Sequence, residues 1–243
     1  MVEDAPSSAK PSIHPGSPWP ESDHHKGFSM KTRLITLLAV LVLASLACQV
    51  AASGSSTQES SSVLFQDDFS DTSSGWDQVN VNEGITDYAN GVYRIFVNTS
   101  NTDIWANPGL NFTDTRIEVD ATKVAGDDNN DYGIICRYQD GQNFYFFVIS
   151  SDGYYGIGKV SAGKQQLIGV ENMPPTDAVT QGNQTNHLRG DCVGSKLTIY
   201  VNGEKLAEYD DSEFTSGDVG LLAGSFDNPG TDIHFDNFTV MKP

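Results

Sequence analysis

The chain has 243 residues and a formal net charge of −18, with 32 acidic and 14 basic side chains. An acidic chain without a basic stripe repels phosphate backbones, which argues against nucleic acid as a partner. The composition changes near Val63: Ser, Pro, Ala and Gln are frequent before it, and aromatic and β-branched residues after it. The roughly 180 residues that follow are enough for one β domain with its own core.

The N-terminal part has the composition of an export signal. Residues 30–33 are basic, and residues 34–47 form an apolar run that has the length of a signal-peptide core but is too short to span a bilayer. Residues 1–29 contain Pro, Ser and His without periodicity. We therefore predict that Met30 is the true start and that residues 1–29 are a gene-model extension or disordered. The alternative is a genuine long segment before the signal core.

The end of the apolar run predicts lipid attachment. Residues 43–48 resemble a bacterial lipoprotein lipobox, in which a small residue precedes a cysteine that is lipidated, here Cys48. Ser45 stands where that motif prefers an aliphatic residue, and without lipidation cleavage would fall near Ala52. Residues 48–62 form a Ser-rich, flexible linker. The prediction is an exported protein at the cell surface or envelope, held on the membrane through its N-terminal lipid.

Residues 63–243 are predicted to be all-β. Residues 116–121 alternate strictly, with the odd-numbered side chains on one face. Residues 197–201 alternate as well, and Asn202-Gly203 after them predicts a type I′ hairpin turn with residues 204–209 as the return strand. Further strands are predicted at 63–66, 91–97, 133–138, 144–150, 156–160, 165–170, 187–193, 217–223 and 233–241. Many short strands separated by turn residues indicate a sandwich or barrel.

An ordered set of motifs runs through the domain. The motifs are Asp67-Asp68-Phe69-Ser70, Gly75-Trp76, Tyr132-Gly133-Ile134-Ile135-Cys136-Arg137, Leu188-Arg189, Leu197-Thr198-Ile199-Tyr200-Val201-Asn202-Gly203, Gly217-Asp218-Val219-Gly220 and Phe235-Asp236-Asn237-Phe238. With them the domain resembles concanavalin A-like (laminin-G-like) jelly rolls, which implies a two-sheet antiparallel sandwich, and more weakly the 3-keto-disaccharide hydrolase-like domains. Proteins with this superfold include lectins, hydrolases and adhesion modules.

The resemblance also allows a search for catalytic groups. Laminarinase-type hydrolases of this fold carry their paired acids on one strand, as glycoside hydrolysis requires. Glu118 and Asp120 begin that pattern, but Thr122 and Lys123 occupy the two positions open to a third acid. No catalytic residue is therefore assigned.

The 3-keto-disaccharide hydrolase resemblance rests on a different strand. Such domains often show Asn-Ser-Gly-Ile followed by an Arg. Gly133 and Arg137 are kept here, whereas Asp131 and Tyr132 replace the Asn-Ser pair. An enzyme of this type is the first alternative to a binding protein.

Aromatic residues favour carbohydrate binding, because sugar rings stack on them while polar side chains bond the hydroxyls. By alternation Asn143 and Tyr145 share the predicted wetter face of their strand. The candidate ligand-binding residues are Arg137, Asn143, Tyr145, Tyr155 and Trp105. Two alternatives stay open: the aromatics fill a two-layer core, and Arg137 is a structural clamp.

The two cysteines of the domain, Cys136 and Cys192, predict one disulfide in an exported chain. The alternative is a pair of buried free thiols.

Acidic side chains suggest a structural Ca²⁺ at two places, since carboxylates are its preferred ligands. One is the loop with Asp127, Asp128 and Asp131. The other follows from the jelly-roll resemblance, in which first and last strands often pair near a calcium ion, and it joins Asp68 to Asp236.

Taken together, the sequence predicts an exported, lipid-anchored, non-catalytic β-sandwich that binds a glycan or another envelope polymer. A glycoside-active enzyme is the first alternative, and a structural or adhesion domain with a protein partner is the second.

Overall fold

The computed structural model describes residues 62–243 and the short strand His14–Pro15. The predictions on the signal peptide, on lipidation at Cys48 and on the Ser-rich linker lie outside the described residues. No helix long and apolar enough to cross a membrane occurs among the residues described. The strands are β1 (His14–Pro15), β2 (Val63–Asp67), β3 (Val79–Val81), β4 (Gly84–Ala89), β5 (Val92–Val97), β6 (Thr102–Ala106), β7 (Thr115–Ala125), β8 (Asp131–Asp140), β9 (Asn143–Ser150), β10 (Tyr154–Ser161), β11 (Lys164–Leu167), β12 (Thr185–Val193), β13 (Lys196–Val201), β14 (Glu204–Asp210), β15 (Asp218–Ser225) and β16 (Thr231–Met241).

Two antiparallel sheets form the domain. Sheet A has the spatial order β1-β6-β15-β8-β9-β10-β11, and sheet B has the order β14-β13-β12-β7-β16-β5-β4-β3, with β2 paired to β16. The predicted jelly-roll sandwich is therefore confirmed. The first strand of the domain pairs with the last, as the resemblance implied, with Asp67 opposite Phe238.

The alternation of apolar and polar residues in β7 correctly predicts which side chains of this strand of sheet B lie in the core. Ile117, Val119 and Ala121 on β7 are all fully buried, whereas Glu118 and Asp120 between them point outward. Burying one face of each strand against the other sheet removes apolar area from water at about 25 cal/mol per Å². The outward face of β7 is polar because it meets solvent.

The predicted hairpin of β13 and β14 is also present. Val201 pairs with Glu204, and the two turn residues between them, Asn202 and Gly203, have φ angles of 50° and 85°. Both values lie in the left-handed region that a type I′ turn requires. The local sequence thus determines this connection.

The opening segment of the domain has a structural role. Asp67 accepts hydrogen bonds from the Phe69 amide at 2.8 Å and the Trp76 indole Nε1 at 3.0 Å. Phe69 has a φ of 55° and lies fully buried beside Trp76, with ring centroids 5.5 Å apart. One carboxylate therefore holds the turn that carries two aromatic rings into the core.

The predicted disulfide is confirmed. Cys136 on β8 and Cys192 on β12 are bonded, with their Cα atoms 6.8 Å apart. Because β8 belongs to sheet A and β12 to sheet B, the bond crosses the core and ties the two sheets together. Both residues are fully buried.

Candidate functional site

The surface of sheet A that points away from the core is apolar, and we call it the outer face of sheet A. Trp105 on β6 contacts Phe144 on β9, with ring centroids 5.3 Å apart, and Phe144 lies 6.4 Å from Phe146. The three aromatic residues are only 1–3% exposed. Ile135, Val148, Val160 and Leu222 complete the cluster, and Tyr138 and Met173 pack against it.

The strands below this cluster are therefore buried on both sides. β15 is buried along its whole length, and β9 from Phe144 onward. Glycines make room for the rings: a Cβ atom on Gly158 would collide with the ring of Phe146. The side chain of Met173 lies beside Gly156 on the next part of β10, 3.2 Å from where a Cβ would be.

Two carboxylates lie on the same outer face, which we call the acid pair. Asp103 on β6 and Asp131 at the start of β8 flank Gly224 on β15, and both side chains reach into the space that a Cβ on Gly224 would occupy. Asp103 is 8% exposed and Asp131 is 1% exposed. Burial, followed by the nearby charge of Asp131, raises the pKa of Asp103 well above its ordinary value, and a hydrogen bond from Gln165 opposes this. Like charges in contact away from water favour the protonated form of one partner.

Sequence reasoning missed Asp103 because it missed β6. The segment Thr102–Ala106 is short, contains an acid and shows no alternation, and all five residues are buried. Asp131 was predicted as a calcium ligand together with Asp127 and Asp128. In the structure its side chain instead lies with that of Asp103 beside Gly224. The only usable signal was the spacing of Asp103 and Trp105, which places both on one face if the segment is a strand.

The five predicted ligand-binding residues do not form one site, although Arg137 and Tyr145 both bond the backbone of Phe214. Trp105 lies on the outer face of sheet A. Tyr145 is fully buried between the sheets, where its hydroxyl donates to Asp211 Oδ1 at 2.6 Å. Tyr155 also packs against the main core. The prediction that the face of Asn143 and Tyr145 is the wetter one is wrong, because that face meets sheet B.

Asn143 and Arg137 hold loops at one end of the sandwich. Asn143 bonds Asp140 across the β8–β9 turn at 2.9 Å. Arg137 is 2% exposed, with guanidinium bonds to the carbonyl of Phe214 at 2.8 Å and to the carboxylate of Asp114 at 3.2 Å. For Arg137 the clamp alternative is the arrangement observed. Ligand binding by these residues stays a prediction.

The predicted calcium ligands each have another partner. Asp127 accepts from the Asn228 amide at 2.8 Å, Asp128 pairs with Lys123, and Asp131 belongs to the acid pair. These three acids of one loop therefore point in different directions.

The two acids of the second predicted calcium site also have local partners. Asp68 accepts from the hydroxyl of Ser70 at 2.6 Å, and this bond lowers its pKa. Asp236 accepts from the amide of Asn237 at 2.7 Å. Across residues 62–243 no group of three or more His, Cys, Asp or Glu side chains is placed to hold a metal ion.

The outer face of sheet B carries the acids considered for glycoside hydrolysis. His187 on β12 contacts Asp120 at 2.8 Å and Glu118 at 3.5 Å, and Asn237 also donates to Asp120 at 2.9 Å. These groups satisfy one another on a solvent-facing surface. They give sheet B a polar exterior, in contrast to sheet A.

Several solved structures are similar to this domain in fold. The carbohydrate-binding module CBM66 from Bacillus subtilis matches with a TM-score of 0.56 and 22% identity, over 70% of this chain and 96% of that one. The Bacillus licheniformis beta-glucanase matches with a TM-score of 0.53 and 12% identity, over 74% and 98%. A Bacteroides ovatus mixed linkage glucan GH16 protein, in complex with a G4G4G3G product, matches with a TM-score of 0.53 and 11% identity, over 73% and 100%. These likenesses show the fold, a two-sheet jelly-roll β-sandwich.

The family follows from the sequence itself. The profile of the 3-keto-alpha-glucoside-1,2-lyase-like domain matches residues 61–241. The chain belongs to this family, and the resemblance to 3-keto-disaccharide hydrolase-like domains is confirmed. No curated protein sequence matches the chain.

Proposed function

We propose that the outer face of sheet A is the carbohydrate site of an exported, lipid-anchored protein. The observation that carries this proposal is the aromatic cluster of Trp105, Phe144 and Phe146 outside the core, on the same face as the acid pair. An exterior strand face ordinarily carries polar side chains, as in sheet B. Aromatic rings beside carboxylates instead suit a sugar, which presents apolar ring faces and hydroxyl groups.

The cluster is buried, so a sugar reaches the rings only when side chains above them move. Met173 and Tyr138 are two partly buried side chains that pack there. Membership of a family named after a glycoside reaction supports a glycan as the ligand. The fold neighbours that bind or cleave glycans support it as well.

A glycan array with neutral, acidic, aminated and 3-oxidised oligosaccharides tests the proposal. Trp105→Ala and Phe144→Ala should each weaken the observed binding at least about tenfold, the equivalent of 1.4 kcal/mol. Tyr200→Ala is the matched control, because Tyr200 lies on the outer face of sheet B under Arg189, 4.1 Å from ring centroid to guanidinium. An array blank for the wild type, or equal losses in all three variants, would refute the site.

The acid pair favours a second candidate, an enzyme that cleaves oxidised glycosides. In a 1,2-elimination one carboxylate takes the proton from C2 of a 3-keto-glucoside, and the electron pair left on C2 forms a C1=C2 double bond as the C1–O bond breaks. The partner carboxylic acid protonates the departing oxygen, which leaves as an alcohol. Two adjacent carboxyl groups with one proton between them supply both roles. A non-catalytic binding protein uses the same surface without this step.

Turnover separates the two candidates. Methyl 3-keto-α-glucoside should release methanol, followed by proton NMR, and Asp103→Asn and Asp131→Asn should abolish the release. Asp127→Asn is the control, because Asp127 is exposed and bonded to Asn228. If the wild type releases no methanol above the buffer rate, the binding function alone is retained.

Lipid attachment has its own test. Metabolic labelling with a radioactive fatty acid should label the wild type and not Cys48→Ser, and the wild type should fractionate with membranes. Label retained in Cys48→Ser would contradict the anchor.

A further inference from the structure

The acid pair has a property that depends on its geometry and not on a particular ligand. Asp103 and Asp131 approach each other across a strand position where any side chain larger than hydrogen would displace them. Both belong to strands hydrogen-bonded to β15, which runs between them. Two buried carboxylates at such a distance do not both ionise in a site that excludes water, and a proton is retained between them.

We propose that Asp103 and Asp131 hold one proton between them at neutral pH, and that losing it loosens the β6–β15–β8 part of sheet A, which forms the floor of the carbohydrate site. The loosening of these strands rests on the proposed function only in that the surface they form is called the carbohydrate site. With the proton present, the pair carries one negative charge and one internal hydrogen bond. Without it, two like charges repel across Gly224, and the strands that carry Trp105 and Leu222 separate.

The other ionisable groups in the neighbouring segments are accounted for. Before β8, Lys123 is bonded to Asp128 and to the carbonyl of Gly126. After β9, Asp152 accepts from the hydroxyl of Ser150, and Ser150 is paired with Asp131.

The remaining strands of sheet A contribute fewer charged groups. On β11, at the opposite edge of the sheet, Gln165 is neutral. On β1, His14 stands opposite Asp103 in the strand register. On β15, Gly224 carries no side chain, and Ser225 beside it bonds Thr231.

Infrared spectroscopy of the full chain tests the proton directly and needs no sugar. The carbonyl stretch of a protonated carboxyl group should be present in the wild type at about pH 7.5, where an ordinary Asp is ionised. It should be lost in Asp103→Asn and in Asp131→Asn and kept in Asp127→Asn. A wild type without this band, or with a band that both Asn variants retain, would overturn the proposal.

Urea unfolding across pH tests the consequence for stability. The folded pair keeps a proton that the unfolded chain has released, so the wild-type midpoint should fall as pH rises from about 5 to about 8. Asp103→Asn should have a shallower slope, and Asp127→Asn should keep the wild-type slope. Parallel slopes in wild type and Asp103→Asn would overturn the proposal.

Hydrogen exchange locates the loosening. At one alkaline pH, the amides of β6 and β15 should exchange at least about tenfold faster in the wild type than in Asp103→Asn, with equal rates in β7 and β12. If the amides of β6 and β15 exchange at equal rates in the wild type and in Asp103→Asn, the claim that proton loss loosens these strands is refuted. The proposed carbohydrate function is tested separately by the array, so either idea can fail without the other.

Discussion

The outer faces of the two sheets differ in the side chains that occupy their outward-pointing strand positions. On sheet B, charged side chains alternate with core residues and bond one another, as Arg189 does with Asp191 at 2.8 Å. On sheet A, Trp105, Phe144 and Phe146 occupy the corresponding outward positions and are almost fully buried. The difference shows that sheet A is apolar on both sides. A jelly roll needs only one such side per sheet for its core.

Function accounts for this asymmetry better than stability does. The outer rings of sheet A are packed over glycines, which contribute nothing to a core themselves and cost conformational entropy in a strand. Two buried acids on the same face add a further cost. Natural sequences tolerate such local conflicts mainly at functional sites.

The largest expected effect compares two phenylalanines, one on each outer face. Phe146→Ala should lower the free energy of unfolding by about 3–5 kcal/mol, as for a core aromatic. Phe96→Ala, on sheet B and covered by Arg94 at 4.9 Å, should lower it by about 1 kcal/mol or less. Urea titration of both variants measures the difference. Similar losses would mean that the outer faces are equivalent after all.

The disulfide tests how far the two sheets depend on each other. Removing it by Cys136→Ala with Cys192→Ala should lower the free energy of unfolding by about 4 kcal/mol on chain entropy, because the bond joins residues 56 apart in sequence. The cavities left in the core add to the loss. A reducing agent should lower the thermal midpoint of the wild type and leave the double variant unchanged. A shift in both would point to a cause other than this bond.

Much of the fold could be predicted from local patterns. The alternation in β7 and the Asn202-Gly203 turn specify a half-buried strand and a hairpin, and both occur as expected. The missed strands β3, β4 and β6 are short, and they carry polar residues within the strand. Such segments become strands through tertiary pairing, which a window of sequence does not contain.

The candidate site was predicted only in part for a related reason. Along β9 both faces are aromatic, so alternation separates Tyr145 from Phe146 without saying which residue faces the other sheet. The answer comes from how sheet A sits on sheet B. The acid pair joins residues on two non-adjacent strands across Gly224, and no spacing along the chain indicates such a contact.

Asp218, which pairs with Tyr138 at the end of sheet A, is expected to change the free energy of unfolding by about 3 kcal/mol as the pH changes. Burial, against hydrogen bonds from the amides of Val219, Leu110 and Gly109, raises the pKa of Asp218 to about 6. The folded state therefore holds a proton that the unfolded chain has lost above its ordinary pKa of 3.8. The contribution of Asp218 to the free energy of unfolding should fall as pH rises from about 4 to about 6 and then level off.

Asp218→Asn removes this dependence. The variant loses some of the backbone hydrogen bonds that the carboxylate accepts, but it also lacks the ionisation that destabilises the wild type, so its stability relative to the wild type changes between about pH 4 and about pH 6. The slope between about pH 4 and about pH 6 should decrease relative to the wild type, measured by urea unfolding at several pH values. An unchanged slope would mean that Asp218 ionises normally in the folded state.

The smallest change in the free energy of unfolding is expected on sheet B, for a substitution in the ion pair of Arg94 and Asp232. Their bidentate contacts of 2.9 and 2.8 Å are half-buried, with side-chain exposures of 24% and 14%. Burial raises the pKa of Asp232, but hydrogen bonds from His234 and Arg94 outweigh it, so the net pKa lies below 3.8. The stabilisation is thus present above pH about 4 and lost as the pH falls through the lowered pKa.

Arg94→Lys keeps the charge but loses the planar fork, and it should cost about 1 kcal/mol or less near neutral pH. Added salt should shrink the difference between wild type and variant, because charges on this face are reached by solvent ions. The same salt should leave the cost of Phe146→Ala unchanged, since no charge is involved there. A salt-independent cost for Arg94→Lys would mean that its stem packs on Phe96 as an apolar group, which would make sheet B more like sheet A than its charges indicate.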